Sequence, residues 1–296
     1  MAQNSTLIEV TLSFLSKKRE FEFSLIQFLK SSRFSRQEIV QTSEGRYNQL
    51  RVYVSKRVRT RRLEKALKKM EFLSDVLFQQ RLLSRHDWAD KWKEDYHIQV
   101  LGKSFVVIPS WRKKEFCPEK FKRHIPIWID PLSAFGSGEH ETTQLVVRQI
   151  ETLSNRFESF LDIGTGTGIL SIVARHCGAT RILGFDRDKP SAQCARMNFD
   201  INGLDKGKTS FVRAELSGFA YKPLFNLVCA NINSHILESY RKEIVRSASD
   251  GGWVLVSGIL KETYKSFRES FDGPDLRCLR ILKGRRWVSV LYRKQS

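Results

Sequence analysis

Residues 160–168, FLDIGTGTG, restrict the possible fold of this chain more than any other segment. An apolar run ends at Asp162, and glycines follow at positions 164, 166 and 168 before a helical pattern begins at residue 169. Glycine allows unusual backbone dihedrals and a close approach of the main chain to a ligand. The pattern therefore predicts a buried strand that turns tightly into a helix.

A second apolar run with an acidic end follows at residues 181–186, RILGFD. In a parallel sheet, a carboxylate at the carboxyl end of the strand after a glycine turn is suited to the two hydroxyls of a ribose. Asp186 occupies that position, so the two segments together predict a nucleoside-binding site.

The spacing of the glycines distinguishes between two nucleoside ligands. A dinucleotide site has G-x-G-x-x-G, with the pyrophosphate at the helix N-terminus. This chain has G-x-G-x-G, with Asp162 directly before it. A carboxylate there repels a pyrophosphate and attracts a positively charged amino group, so the pattern favours S-adenosylmethionine over NAD.

Composition and length indicate a globular protein with room for two domains. The chain has 296 residues, of which 41% are hydrophobic, and no apolar run approaches the roughly 18 residues needed to cross a bilayer. With no leader pattern at the N-terminus, we expect a cytoplasmic protein.

The five cysteines and six histidines show no ligand spacing, so we predict no disulfide framework and no metal. Cys177, Cys194 and Cys229 lie among apolar residues and are predicted to be core residues.

The net charge of +19 favours a polyanionic partner, of which RNA is the first candidate. Residues 56–69 concentrate this charge, with eight basic residues and one acidic residue. This segment is a possible contact to ribosomal RNA or to an acidic protein. The alternative is that the charges only solvate exposed faces, and the segment lacks aromatic residues that would stack on bases.

The order of predicted elements divides the chain into three parts. Residues 1–85 alternate as strand 7–15, helix 20–29, strands 38–42 and 50–54, helix 61–70 and strand 76–82, which is the βαββαβ order of a ferredoxin-like α+β domain. Residues 86–115 are predicted as a linker with a helix at 87–93 and a strand at 103–109. Residues 116–296 alternate β and α and predict a doubly wound α/β sheet.

Two further segments are predicted at the carboxyl edge of that sheet. The glycine-rich loop 130–143 precedes a helix predicted at 144–153; it is either a lid over the ligand or a loop whose Thr142 or Thr143 caps the helix. Asn231 follows a strand predicted at 224–230 and either points into the cleft or forms a turn. A helix is predicted at 235–247.

With these segments in view, the chain resembles the PrmA methyltransferases, which modify large-subunit ribosomal protein eleven. The match covers residue 87 to the C-terminus through Asp87-Trp88, Asp130-Pro131, the lid loop, the glycine turn, Asn202-Gly203, Ala230-Asn231 and residues 257–261, SGILK. The resemblance implies a class I S-adenosylmethionine-dependent methyltransferase fold, an N-terminal module that grips the substrate protein, and a monomer.

Transferred position by position, the resemblance implies cofactor contacts from Thr143, Gly164, Asp186 and Asn231, with Phe135 over the adenine or the sulfonium. Asp162 and Gly166 complete the predicted cofactor site. The implied reaction is methylation of lysine or α-amino groups of a large-subunit ribosomal protein, with the Asn231 amide as the catalytic group that orients the amine.

Two alternatives stay open at this point. The charge is compatible with an RNA methyltransferase, although enzymes that methylate exocyclic base amines commonly contain an N/D-P-P-Y/F segment. Residues 231–233 read NIN here, without proline or an aromatic residue. Methylation at a pyrimidine carbon normally needs a nucleophilic cysteine, but Cys229 lies inside the predicted strand rather than beyond it. The other alternative is a non-catalytic ribosome-associated factor that has kept the fold.

Overall fold

The computed structural model describes the backbone of strands 7–15, 39–44, 47–54 and 77–83, and residues 96–295 except 133, 205–206 and 219–223. The chain divides into two compact units, Met1–Asp95 and Tyr96–Ser296. The predicted helices 20–29, 61–70 and 87–93 and the basic segment 56–69 lie outside the described residues.

The first unit contains an antiparallel sheet of four strands: β1 (Leu7–Leu15), β2 (Ile39–Glu44), β3 (Tyr47–Val54) and β4 (Leu77–Leu83). Their order is β2-β3-β1-β4. β1 lies between β3 and β4, with Ile8 opposite Val54 on one side and Leu82 on the other. This is the strand order that a βαββαβ plait requires, with β3 beginning earlier than the sequence predicted.

The second unit opens with a small sheet of β5 (Gln99–Leu101), β6 (Phe105–Pro109) and β7 (Ile125–Ile129), in that order. Short 3₁₀ helices, Ser110–Glu115 and Pro118–Phe121, connect β6 to β7. Leu101, Phe105 and Val107 are buried in the core of this unit. Residues 96–115, assigned to the linker from sequence, thus contribute to the second unit.

The main sheet has seven strands: β8 (Ser159–Ile163), β9 (Arg181–Asp186), β10 (Lys208–Arg213), β11 (Phe225–Asn231), β12 (Ala248–Leu260), β13 (Leu276–Lys283) and β14 (Trp287–Lys294). Their order is β10-β9-β8-β11-β12-β14-β13. β8 to β12 are parallel, and β14 is antiparallel to both of its neighbours. The strand order reverses between β8 and β11, and ligands of such sheets bind at this point. The predicted doubly wound α/β fold is confirmed.

Six helices of the described part cover the two faces of the sheet. α1 (Glu141–Glu151), α2 (Ile169–His176) and α3 (Lys189–Ile201) pack on one face, and α4 (Ser234–Ser239), α5 (Arg241–Ser247) and α6 (Tyr264–Phe271) on the other. The single helix predicted at 235–247 is two helices, because Tyr240 leaves helical dihedrals at φ −113° and ψ 26°. None of the described helices is long and apolar enough to cross a membrane.

The three cysteines that the sequence predicted as core residues, Cys177, Cys194 and Cys229, are buried, and burial raises the pKa of each thiol. α3 ends at Ile201 with Asn202 as its C-cap, followed by Gly203 with a φ of +63°. Glycine adopts this left-handed conformation without a Cβ penalty, so it ends the helix.

Candidate active site

A cavity of about 850 Å³ opens at the carboxyl ends of β8, β9 and β11. Five of the residues predicted from sequence line it: Phe135, Gly164, Gly166, Asp186 and Asn231. Two others, Asp162 and Thr143, are fully buried and do not appear in the lining. The strand ends therefore bring the predicted residues together, with two of them behind the cavity wall.

The glycine turn after β8 brings three segments together. Gly164 and Gly166 have φ values of +71° and +54°. A Cβ on Gly164 would clash with Ile232, and one on Gly166 would overlap the carbonyl oxygen of Phe135. Both glycines are required by the fold itself, since the loop after β11 and the lid pack directly on the turn.

Asp186 at the end of β9 faces this turn. Its Oδ2 accepts a hydrogen bond from the Gly166 N–H (3.1 Å), and its Oδ1 accepts one from the Asp188 N–H (3.0 Å). Asp188 in turn caps α3 by accepting from the Ser191 N–H. The carboxylate is thus held at the cavity surface, where it suits two vicinal hydroxyls.

Asp162 lies beneath the turn and is fully buried. Its Oδ2 accepts hydrogen bonds from the hydroxyls of Thr165 (2.9 Å) and Ser171 (2.6 Å), and its Oδ1 has no partner among the described residues. Burial raises its pKa to about 6; the two hydroxyls oppose the shift and the carboxylate of Asp186 adds to it. We call residues 162–171 together with Asp186 the floor of the cavity.

The loop before α1, residues 130–140 without 133, is called the lid, and hydrogen bonds fix it to the floor. Thr167 donates its backbone N–H to the Phe135 carbonyl (2.9 Å) and its hydroxyl to the Gly136 carbonyl (2.6 Å). Asn198 of α3 accepts from the Asp130 N–H (2.8 Å) and donates to the carbonyls of Asp130 (3.0 Å) and Thr167 (2.9 Å). One buried amide therefore joins the start of the lid to the glycine turn.

Three aromatic rings line the cavity: Phe135, His140 and Trp287. Phe135 is 56% exposed and contacts the His140 ring edge-on at 5.2 Å, and His140 contacts Trp287 at 5.3 Å. Burial lowers the pKa of His140 and the neighbouring carboxylate of Glu141 partly opposes this. His140 therefore has a neutral ring at pH 7.

The cap of α1 differs from the sequence expectation. The helix begins at Glu141, and His140 caps it by accepting from the Thr142 N–H (3.3 Å). Neither Thr142 nor Thr143 is the cap, because the helix starts before them and both lie in its first turn. The Thr143 hydroxyl is buried and has no hydrogen-bond partner among the described residues.

Glu141 connects the end of the lid to the turn between β13 and β14. Its carboxylate accepts hydrogen bonds from the backbone N–H groups of Arg285, Arg286 (2.9 Å) and Trp287 (3.2 Å). Partial burial raises the pKa of Glu141, but the three N–H donors outweigh this and hold it below the ordinary value. A Cβ on Gly284 would meet this carboxylate, so a larger residue there would displace the Glu141 side chain. The lid, Glu141 and residues 284–287 form the rim of the cavity.

Asn231 and Asn233 have different positions in the segment after β11. The Asn233 side chain caps α4 by accepting from the His235 N–H (3.1 Å). The half-buried Asn231 amide lines the cavity and forms no side-chain hydrogen bond with the described part of the chain. The turn-forming role considered for Asn231 belongs to Asn233, and the Asn231 amide remains available to a ligand.

The unpartnered atoms around the cavity fit a cationic nucleoside. The buried Asp162 Oδ1 and Thr143 Oγ1 both lack partners within the described chain, and buried polar groups of this kind are normally satisfied. The two carboxylates favour positive charge, and the glycine turn leaves no side chain between backbone and ligand. Among the described residues, no group of three or more His, Cys, Asp or Glu side chains is arranged to hold a metal.

Comparison with known proteins shows that the sequence of this chain matches a known protein family. The sequence profile described as "Ribosomal protein L11 methyltransferase (PrmA)" matches residues 19–295. The chain belongs to the PrmA family. The predicted resemblance is therefore confirmed, and an RNA methyltransferase is not favoured.

Individual PrmA relatives agree with the profile. The chain is 31% identical over 219 residues to a ribosomal protein L11 methyltransferase of Staphylococcus epidermidis, covering 74% of this chain and 69% of the relative. A Staphylococcus aureus (strain bovine RF122) protein of the same name is 30% identical over 222 residues, or 75% and 70% of the two chains. The crystal structure of a ribosomal protein L11 methylase from Lactobacillus delbrueckii subsp. bulgaricus is 27% identical, with a TM-score of 0.61 over 68% of this chain and 100% of that one.

Sequence reasoning missed three residues of this PrmA-family site. His140 lay inside the matched lid motif, where its position before a helix was a usable signal for a cap. Glu141 and Trp287 meet across the rim although they are 146 residues apart in the chain. Their contact depends on the sheet order, so no local pattern indicates it.

Proposed function

We propose that this chain transfers methyl groups from S-adenosylmethionine to lysine side chains or α-amino groups of ribosomal protein L11. The observation that carries the proposal is the cavity in which Asp186, the glycine turn and the available Asn231 amide meet, in a member of the PrmA family. The methyl donor, when bound, supplies an electrophilic methyl group on a sulfonium.

The floor would hold this donor through its polar atoms. Asp186 would accept hydrogen bonds from the ribose hydroxyls, as its position at the end of β9 suggests. The unpartnered oxygens of Asp162 and Thr143 lie behind the cavity wall and would reach the amino-acid end of the donor through water. An acid at Asp162 favours the positively charged amino group and disfavours a phosphate.

The substrate amine must lose a proton before it can act as a nucleophile. The reference pKa of lysine is about 10.4, so the neutral amine is rare at pH 7. A rim built from Phe135, His140 and Trp287 removes water from the amine, and desolvation lowers its pKa. Aromatic faces also tolerate the cationic methylated product.

Asn231 would position the neutral amine. Its amide oxygen would accept a remaining N–H and so direct the nitrogen lone pair toward the methyl group. The amide does not ionise, so its contribution comes from orientation rather than from proton abstraction. Proton loss to solvent precedes the transfer.

Further parts of the proposal concern organisation. Residues 1–85 would act as the module that recognises the substrate protein and residues 116–296 as the catalytic domain. Of the proposed connection, residues 86–115, the part from Tyr96 onward packs within the second unit and would belong to the catalytic domain. We propose a monomer that works in the cytoplasm. The four-stranded sheet of the first unit is compatible with a recognition module.

The test is a transfer assay with labelled methyl donor, purified protein and a ribosomal extract, followed by separation of protein from RNA. We expect label in one large-subunit ribosomal protein, and label confined to RNA would contradict the proposal. Asn231→Ala should lower kcat by about a hundredfold while leaving donor affinity within a few-fold. Asn233→Ala, which removes the neighbouring helix cap, is the matched control and should retain most of the rate.

A further inference from the structure

The hairpin of β13 and β14, residues 276–294, carries charge of one sign only. It contains seven basic and no acidic residues: Arg277, Arg280, Lys283, Arg285, Arg286, Arg293 and Lys294. The first five are exposed. Because β13 is the last strand of the sheet, its outer edge has no neighbouring strand among the described residues of the second unit. We call residues 276–294 the basic hairpin.

The carboxylates next to the basic hairpin already have partners. Asp275 pairs with Arg241, Asp272 with Arg268, Asp250 with Lys294, and Glu141 accepts from three backbone N–H groups. Within the described residues, no carboxylate forms an ion pair with Arg277, Arg280, Arg285 or Arg286. The positive charge of these four arginines is therefore not neutralised by neighbouring carboxylates, whereas that of Lys294 is paired with Asp250.

The strand register places two of these charges directly opposite each other. Arg277 of β13 pairs with Arg293 of β14. Like charges in directly opposed positions destabilise a strand pair by a few tenths of a kcal/mol to about 1 kcal/mol. Arg293 is partly compensated by the Trp253 ring, whose centroid lies 4.0 Å away. The opposed arginines do not stabilise the fold. A bound polyanion would account for them, because it would neutralise both charges.

The outer edge of β13 is unsuited to the addition of another strand. The register shifts between Cys278 and Arg280, which is a bulge that leaves Leu279 46% exposed. Bulges and charged side chains at an edge strand oppose pairing with further chains. β13 also contains no aromatic residue, although aromatic anchors are typical of protein–protein interfaces.

We propose that the basic hairpin binds the phosphate backbone of RNA. Arginine presents a planar set of donors that matches phosphate oxygens, and it stays charged at all physiological pH values. Phosphate contacts of this kind provide affinity without base specificity. RNA fits these observations better than an acidic protein, because the edge offers charge and donors but no aromatic anchor; its exposed apolar side chains are Leu279 and Ile281.

The basic hairpin adjoins the cavity. Its turn holds Glu141 through the backbone of Arg285 and Arg286, and Trp287 lines the cavity wall. RNA on the hairpin would lie beside the mouth of the active site. This surface goes beyond the proposed function, since transfer to a free protein needs no RNA.

The test is fluorescence polarisation of a short labelled RNA with the full chain over a series of salt concentrations. The variant R277Q/R280Q/K283Q changes only the edge strand, and K114Q/K120Q/K208Q removes the same charge from exposed positions elsewhere. We expect the hairpin variant to bind at least about tenfold more weakly at low salt. Its slope of log affinity against log salt should fall by about 2, at roughly 0.7 for each lost contact. The control should lose less than about threefold.

Several results would overturn the proposal. One is failure of the wild-type chain to bind RNA, and another is unchanged affinity and slope in the hairpin variant. Loss of binding only in K65Q/K68Q/K69Q would place the RNA surface in residues 56–69 instead. Equal binding of a polyglutamate peptide would indicate an acidic protein partner. Methylation of free substrate protein by the hairpin variant, expected at the wild-type rate, is measured separately and tests only the proposed function.

Discussion

The floor and the rim of the cavity are built from contacts of very different range. In the floor, Asp162 contacts side chains only three and nine residues away, and Asp186 accepts from a backbone group 20 residues away. In the rim, Gly136 of the lid is held by Thr167 from 31 residues away and Asp130 by Asn198 from 68 residues away, and Glu141 reaches across as many as 146. The same cavity thus combines a locally encoded half with a half that exists only in the complete fold.

This difference separates two tasks. In the proposed function, the floor would select the nucleoside, because its acids and glycines set charge and backbone approach. The rim would enclose the donor, because its contacts fix the lid against the floor and the lid end against residues 284–287. Changes in the floor should therefore alter donor affinity and its pH dependence, and changes in the rim should alter enclosure and turnover.

The largest effect is expected where floor and rim touch. Gly166→Ala would overlap the Phe135 carbonyl at a φ of +54°, so the lid must move away. We expect donor affinity to fall by at least about a hundredfold, measured by calorimetry, because overlap and backbone strain add up to about 3 kcal/mol. Gly203→Ala has a similar φ of +63° but nothing within 4 Å. It should lose only about 1 kcal/mol of stability with unchanged donor affinity. Equal donor affinity in the two variants would mean that the lid does not depend on this contact.

Asp162→Asn tests the electrostatics of the floor. The folded pKa of about 6 lies above the unfolded value of 3.8, so the native state binds more protons between these values. The contribution of this carboxyl to the free energy of unfolding is complete at low pH and decreases by up to about 3 kcal/mol as pH rises through that window. In urea unfolding between pH 4 and pH 7, the free energy of unfolding of the variant should not show this decrease. Asp250→Asn, at an exposed carboxylate, should keep it. An identical pH profile for Asp162→Asn and the wild type would contradict a raised pKa.

Thr167→Val breaks one bond between lid and floor without changing the volume of the side chain much. The half-buried Gly136 carbonyl loses its 2.6 Å hydroxyl donor, and the lost hydrogen bond costs about 0.5–1.5 kcal/mol. We expect KM for the donor to rise about tenfold. Thr167→Ser keeps the hydroxyl and should stay near the wild-type value. If the serine variant were as impaired as the valine variant, methyl packing rather than the hydrogen bond would explain the loss.

Glu141→Gln weakens the contact at the far side of the rim and should have the smallest effect. At neutral pH we expect a melting temperature lower by a few °C. The folded pKa of Glu141 lies below its ordinary value of 4.5. Its contribution is therefore present above pH 4.5 and lost as pH falls through the folded pKa, so wild type and variant should converge in acid. Glu119→Gln, in an exposed pair with Lys122, should show no change at either pH. A pH-independent difference for Glu141→Gln would argue against the charged contact.

The sequence predicted the floor because its signals are local. The apolar run to Asp162, the alternating glycines and the acid at Asp186 each lie within one strand–turn–helix segment. The doubly wound sheet followed from the same alternation of elements. Predictions for the lid were less complete: Phe135 and the loop were found, but the helix start at Glu141 was placed too late.

The remaining features depend on distant parts of the chain. Glu141 meets the β13–β14 turn only because β14 inserts between β12 and β13 in the sheet. The break at Tyr240 divides a segment whose apolar pattern is that of a single helix. The burial of Asp162 behind the turn, rather than in the cavity lining, also follows from packing and not from spacing.

The most direct test of the account is a crystal structure of the chain with S-adenosylhomocysteine, the demethylated form of the donor. The account predicts that the ligand occupies the cavity with its ribose hydroxyls on the carboxylate of Asp186 and its sulfur toward Asn231. A ligand bound elsewhere, or one in the cavity whose ribose does not contact Asp186, would contradict it.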